Sequence, residues 1–227
     1  MKVTWLGHAA FLLEGDDRVL VDPFLTGNPV ASLAAEEVEC DLVCVTHAHG
    51  DHFGDAVAIA TRLGVPLVGI YEISVAAGAQ GAEAVGMNIG GSTTVGNTRI
   101  TMTHALHSSC FVGNGKVEAG GNPAGFVIDS GARVYHAGDT GVFGDMALIG
   151  ELYQPELALL PIGDFYTMGL REATKATELL GVKRVVPMHY NTFPVIEQDP
   201  EAFRAAVAEK TRSEVTVLQP GESHGVK

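Results

Sequence analysis

Long apolar runs are absent from this chain of 227 residues. Nothing in it approaches the roughly 18 consecutive apolar residues that a membrane-spanning helix needs. The opening Met1–His8 could be mistaken for a weak secretory signal. His8, Glu14, Asp16 and Asp17 break the run, however, and no small-residue cleavage site follows, so strands are expected there. Cysteine is scarce. Cys40, Cys44 and Cys110 are three in number and lack C-x-x-C spacing, which does not suit a disulfide framework and points to a reducing cytoplasm. Cys40 and Cys44 border an apolar run and read as small core residues. Basic residues are few: 14 Lys and Arg stand against 27 Asp and Glu, a formal net charge of −13. Gripping a phosphate backbone takes clustered cations, and no basic run occurs, so no nucleic-acid partner is expected. A small-molecule substrate fits better. There is no G-x-S-x-G either, and hence no serine nucleophile elbow.

What the chain does have is histidine concentrated in one place. Thr46-His47-Ala48-His49-Gly50-Asp51-His52 gathers three imidazoles and a carboxylate directly after the apolar run Asp41–Val45. Imidazole nitrogen and carboxylate oxygen are donors that borderline-soft divalent cations favour. His47 and His49, one residue apart at a strand end, can point to one side of a turn and share a metal. Asp51 and His52, at the start of a helix, can face a second. A catalytic metal takes three or more protein ligands and keeps a position open for water, so further donors are required. His107, Asp139 and His189 are the candidates, each following a strand-like run. Donors that recur at strand ends converge on one edge of a sheet structure. Gly138 beside Asp139 would allow the backbone a close approach.

Short strands are expected at Lys2–Leu6, Ala9–Glu14 and Arg18–Val21, then a Gly/Pro loop over Asp22–Val30 and a strand at Leu42–Val45. A helix over Gly54–Leu63, a strand at Pro66–Ile70 and a helix over Ile73–Gln80 follow, then strands at Ala84–Asn88 and Arg99–Ala105. Ser108–Pro123 has no apolar periodicity and reads as a long loop, the kind that often forms a lid. Gly125–Asp129 and Arg133–His136 should pair across Ser130-Gly131-Ala132. The tail alternates strand Leu157–Leu160, helix Arg171–Leu180, strand Val185–Val186, helix Pro200–Thr211 and strand Glu214–Leu218. A strand-rich stretch and then a mixed one, twice over, predicts an α/β (α+β) fold of two packed sheets with helices outside, a four-layer αββα sandwich. No repeat or linker interrupts it, so residues 1–227 are expected to form a single domain.

With Thr46–His52, His107, Gly138-Asp139-Thr140 and Met188-His189-Tyr190 in this order, the whole chain resembles the metallo-β-lactamase fold superfamily. Thr4–Phe11 and Val21-Asp22-Pro23-Phe24 further resemble its branch of small cytoplasmic metal-dependent hydrolases. That branch is related to ascorbate-6-phosphate lactonase and, more distantly, to phosphodiesterases acting on N-acyl phosphatidylethanolamine. The resemblance implies that His47, His49 and His107 hold one metal, that Asp51, His52 and His189 hold the other, and that Asp139 bridges them. Some members are excluded by what they carry. Di-iron flavoproteins of this fold have Glu where this chain has His49, and true β-lactamases lack the bridging Asp. Glyoxalase II-like enzymes have a long C-terminal helical extension, and ribonuclease Z-like enzymes an arm for transfer RNA; neither is found here.

In such a centre two cations ~3.5–4 Å apart share a water whose pKa falls from about 15.7 to roughly 7, and the bridging hydroxide attacks a carbonyl or phosphorus centre. The expectation is a dinuclear hydrolase of a small ester, lactone or phosphodiester. Zinc is the default metal and manganese the alternative. Asp51, Asp139 and His8 stand nearest the chemistry; in the related branch the His at the position of His8 lies close to the metals. Asp22 can accept a hydrogen bond from a ligating His, and Asn191 can donate to an oxyanion. The loop Gly163–Gly169 can present the positive end of the next helix to an anion. His104 and His136 face away from the metal and read as structural, and His224 as solvated. Two rival readings stand beside this one: a non-catalytic protein with structural metal, and a nuclease or phosphodiesterase acting on nucleic acid. No membrane partner is expected, while an apolar surface on Ile73–Ala79 would suit a homo-oligomer.

Overall fold

In the computed structural model, which describes residues 1–113 and 115–226, two seven-stranded sheets account for most of the strands. The first half of the chain supplies β1 (Lys2–Gly7), β2 (Ala10–Glu14), β3 (Arg18–Val21), β4 (Leu42–Cys44), β5 (Leu67–Ile70) and β6 (Ala84–Met87), with helices α1 (Gly50–Phe53), α2 (Ala56–Leu63) and α3 (Tyr71–Ala79). The second half supplies β7 (Ser92–Val95), β8 (Thr98–His104), β9 (Cys110–Gly113), β10 (Lys116–Ala119), β11 (Ala124–Asp129), β12 (Arg133–His136), β13 (Leu157–Pro161), β14 (Arg184–Met188), β15 (Glu214–Val215) and β16 (Ser223–Gly225). Its helices are α4 (Met146–Tyr153), α5 (Leu170–Leu180) and α6 (Pro200–Lys210). The strand orders are β16-β1-β2-β3-β4-β5-β6 and β15-β14-β13-β12-β11-β8-β7. Each sheet is antiparallel along one end, β16-β1-β2-β3 in the first and β7-β8-β11-β12 in the second, and parallel through the rest.

The parallel strands explain the unbroken apolar runs. Every residue of β4, β5 and β13 is buried, as expected where both faces of a strand are covered. Helices α2 and α3 lie on the first sheet, and α5 and α6 on the second with α4 beside α5. On α5 the buried residues Ala173, Thr174, Ala176, Thr177 and Leu180 form one stripe at helical spacing. The inner faces meet at His136 of β12, whose ring stands edge-on 5.8 Å from Phe11 of β2. This is the expected four-layer sandwich.

Several elements depart from expectation. Ser108–Pro123 is not all loop: β9 and β10 pair as a hairpin with Val112 opposite Val117. Strands of four residues are too short to reveal a period. The helix expected from Gly54 is preceded by the short α1, and Gly54 itself has φ 32°, with space for a Cβ closed by Pro23 O at 2.5 Å. Strand β7, helix α4 and strand β16 were not anticipated. Pairing ends at Val215, short of the expected Leu218. His224, expected in solvent, pairs with Val3 across β16 and β1, and its Nε2 is buried without a partner. On α3, Ile73 and Ala77 turn into the core and leave Tyr71 and Val75 exposed, so part of the apolar surface expected there is used by the chain itself. Among the described residues no helix is long and apolar enough to cross a membrane.

Candidate metal centre

Each expected donor follows a strand: His47–His52 follow β4, His107 follows β8, Asp139 follows β12 and His189 follows β14. The fold brings all seven together in three overlapping groups whose nitrogen and oxygen atoms lie within 4.8 Å of one another. These are His47, His49 and His107; His8, Asp51, His52 and His189; and His47, His52 and Asp139. His8, at the end of β1, joins the second group.

The far side of the rings is set by a short relay. Asp22, completely buried, accepts from Thr46 N–H at 2.8 Å, from Thr46 Oγ1–H at 2.6 Å and from His52 Nδ1–H at 2.8 Å. Because the Thr46 hydroxyl proton goes to Asp22, its oxygen accepts from His47 Nδ1 at 3.0 Å. His47 and His52 therefore both carry a proton on Nδ1 and turn Nε2 towards the centre, where His47 Nε2 lies 3.0 Å from His49 Nδ1. Fixing a tautomer through the distant ring nitrogen is how proteins prepare an imidazole for a cation. The role expected of Asp22 is the one the geometry supports.

Asp139 sits where the groups meet. Its Oδ1 is 3.3 Å from His52 Nε2, and its Oδ2 is 3.0 Å from His189 Nε2, 3.5 Å from His107 Nε2 and 4.0 Å from His47 Nε2. Short distances do not make these hydrogen bonds. Asp139 Oδ1, His52 Nε2 and both ring nitrogens of His189 are buried without a partner of acceptable geometry. Gly138 lets the backbone reach this place: it has φ 61°, and a Cβ there would lie 2.5 Å from Ala124 O. His136, structural as expected, donates through Nε2 to Ala9 O at 2.9 Å and accepts Gly138 N–H on Nδ1 at 3.1 Å. His104 is exposed, edge-on to Phe143.

His8 Nε2–H donates to Asp51 Oδ2 at 3.2 Å, so its Nδ1 accepts from the Thr192 hydroxyl at 2.9 Å. Burial and the neighbouring His189 push the His8 pKa down to about 4, which keeps the ring neutral. Burial opposes charge on Asp51, but the His8 hydrogen bond and His52 hold its carboxyl well below the usual range. Burial likewise opposes charge on Asp139, and His189 and His52 outweigh it in the same direction. Burial lowers the pKa values of His47, His49 and His107, which favours the neutral, ligating form. His52 is the exception: burial lowers its pKa, yet the carboxylates of Asp139 and Asp22 raise it well above the usual imidazole value.

A cavity of about 470 Å³ opens onto His49, Asp51, His107, Asp139 and His189. Its other walls are Ser108, Tyr166, Phe193 and Val195. Ser108 and Tyr166 fall in the two loops singled out in the sequence, Ser108–Pro123 and Gly163–Gly169, whereas no motif marks Phe193, Val195 or the part played by Thr46 and Thr192. Asn191 does not face the centre. Its Oδ1 accepts Gln198 N–H at 2.8 Å, and it lines a separate cavity.

The family model described as "Beta-lactamase superfamily domain" matches residues 17–190. A UPF0173 metal-dependent hydrolase of Methanopyrus kandleri is 57% identical over 228 residues, covering 99% of each chain. One from Methanosarcina mazei is 54% identical over 224 residues, covering 98% of this chain and 97% of its own. The chain therefore belongs to the β-lactamase superfamily and, within it, to the UPF0173 metal-dependent hydrolases. Among solved structures, Igni18, a metallo hydrolase of Ignicoccus hospitalis, superposes with a TM-score of 0.89 at 42% identity, covering 98% of this chain and 97% of that one. An isothiocyanate hydrolase from Delia radicum gut bacteria shares the fold at 19% identity, with a TM-score of 0.78 and coverage of 99% and 98%.

Proposed function

We propose that the chain is a dinuclear hydrolase in which His47, His49 and His107 would hold one divalent cation and Asp51, His52 and His189 the other, with Asp139 shared between them. The observation that carries this reading is the set of buried, unpartnered atoms facing one another: His52 Nε2, His189 Nε2 and Asp139 Oδ1. A buried polar atom without a partner costs about 1–3 kcal/mol, and several at one point mark a place meant for a cation. The donors fit. They are imidazoles and carboxylates beside an open cavity, whereas structural zinc sites are closed and mostly thiolate-rich. Zinc suits this set, and manganese is the alternative.

Divalent cations bound here would supply Lewis acidity and water with a pKa of roughly 7. The chain's own part is orientation. Asp22 and Thr46 hold the Nε2 atoms of His47 and His52 inward, and His8 holds Asp51 through Oδ2. A small ester, lactone or phosphodiester would meet the donors from the cavity. Three free thiols suit a cytoplasmic setting, and a site built from both halves of the chain supports reading residues 1–227 as one domain.

Elemental analysis of protein purified without added metal tests this, together with assays on bis-p-nitrophenyl phosphate and a lactone panel. About two equivalents and metal-dependent turnover are expected. One tightly held equivalent without turnover on either class would overturn the proposal. An unchanged metal content in His49→Ala would overturn the ligand assignment alone.

A further inference from the structure

No Lys or Arg lines the cavity. Segments 22–34, 46–55, 105–113, 139–145, 162–169 and 189–199 carry the donors and the cavity walls, and none contains Lys or Arg. The chain has 14 such residues, and every one lies elsewhere. Acids occur there instead, at Asp22, Asp55, Asp145, Asp164, Glu197 and Asp199 beyond the donors. The N-terminus of α5 offers no refuge for an anion either. A Cβ on Gly169 would lie 3.0 Å from an Asp164 carboxylate oxygen and 3.2 Å from one of Glu172, so the chain's own carboxylates already face that helix end. Of the four positive charges that two divalent cations would bring, Asp22, Asp51 and Asp139 offset three.

The walls are apolar where they could have been basic. Tyr166 and Val195 line the cavity yet remain 53% exposed each. Phe165, edge-on to Tyr166 at 4.9 Å, and Leu106, next to His107, are also exposed. Phe193 is braced from behind by Phe24 at 6.4 Å and by His8 at 5.6 Å. A pocket with an apolar wall and a few converging polar groups selects a ligand of the same pattern, and exposed apolar side chains around it signal a surface to be covered.

Resting on the reading above, we propose that the substrate is an uncharged carboxylic ester or lactone with an apolar group, seated against Tyr166, Phe193 and Val195, and not a phosphodiester. Hydrolysis adds the oxygen of one water to the acyl carbon and breaks the acyl C–O bond. One water proton goes to the departing alcohol oxygen and the other to solvent, leaving the carboxylate. No oxidant or second substrate is needed.

The test uses the metal-loaded protein and esters matched in leaving group and length: neutral p-nitrophenyl butyrate and the anionic mono-p-nitrophenyl ester of succinate. Bis-p-nitrophenyl phosphate is the third probe, each rate being taken relative to its uncatalysed reaction. The neutral ester is expected to exceed the anionic one at least about tenfold in kcat/KM, and Val195→Lys to narrow that ratio. With p-nitrophenyl acetate as a shorter neutral ester, Phe193→Ala is expected to raise KM for the butyrate more than for the acetate. Calorimetric titration of the unreactive N-butylbenzamide reads the cavity without turnover, and Val195→Lys should weaken its binding. Equal rates on the neutral and anionic esters, a preference for the phosphodiester, or no amide binding would overturn this inference while leaving metal-dependent hydrolysis standing. Loss of metal dependence for every probe would instead overturn the reading on which it rests.

Discussion

His47, His49 and His107 on one side of Asp139, and Asp51, His52 and His189 on the other, are held by different means. On the second side the supports are buried and the backbone is bent to fit. His52 is tied to Asp22, Asp51 to His8, and the His189 amide donates to His8 O at 2.9 Å. His8, Asp22 and His189 have φ of 56°, 46° and 55°, a region that costs a non-glycine residue about 1–3 kcal/mol. On the first side His47 is anchored through Thr46, and His49 only through His47, its Nδ1 lying 3.0 Å from His47 Nε2. His49 and His107 are half-buried beside the cavity, and Ser108 Oγ stands 3.5 Å from His49 Nε2, too far for a strong bond. One side is set in place by folding energy. The other keeps room to adjust, and it is the side towards the β9–β10 hairpin.

The contrast breaks first at Asp139, the carboxylate both sides share. Asp139→Asn should lower metal content on both sides and reduce turnover by more than the ~10–100-fold typical of an outer hydrogen-bond partner. Elemental analysis with steady-state kinetics reads this, and retention of full metal and activity would show that Asp139 is not shared. A smaller loss is expected at Asp22. Asp22→Ala strips His52 and Thr46 of their buried acceptor and should destabilise the protein by about 3–5 kcal/mol, measured by urea unfolding. A cost below about 1 kcal/mol would mean that the second side is not braced from beneath. The smallest pair of effects sharpens the comparison. Thr192→Val removes the partner of His8 Nδ1 and should cost about 1 kcal/mol, whereas Ser108→Ala should leave stability unchanged. Equal costs would erase the difference between the sides.

Much of the centre was legible before the fold, because its donors are residue types with few other reasons to follow apolar strands. His47 to His52 declare themselves by spacing, and His107, Asp139 and His189 by place. The supports were legible only in part. Asp22 was visible as an acid at a strand end, but the proton order through Thr46 depends on an oxygen 2.6 Å from a residue 24 positions away. Thr192 reaches His8 across 184 positions, and nothing local announces it. The cavity walls at Tyr166 and Phe193 sit in loops, and Val195 in a single 3-10 turn over Pro194–Ile196, where apolar residues look, in sequence, like ordinary loop composition. Among the elements, the sheets were read from their unbroken buried strands, while the hairpin, α4 and β16 were too short or too irregular to show a period.

Two backbone hydrogen bonds join the halves of the chain beside the centre: Ala124 N–H to Thr46 O at 3.0 Å and His189 N–H to His8 O at 2.9 Å. The donors divide the same way, His8 to His52 from one half and His107, Asp139 and His189 from the other. A cation held among them would thus act as a clasp across the sandwich. Binding only the docked form, it would add RT ln(1 + [M]/Kd) to stability, so the supply of metal would set how much of the chain stays assembled as well as how fast it works.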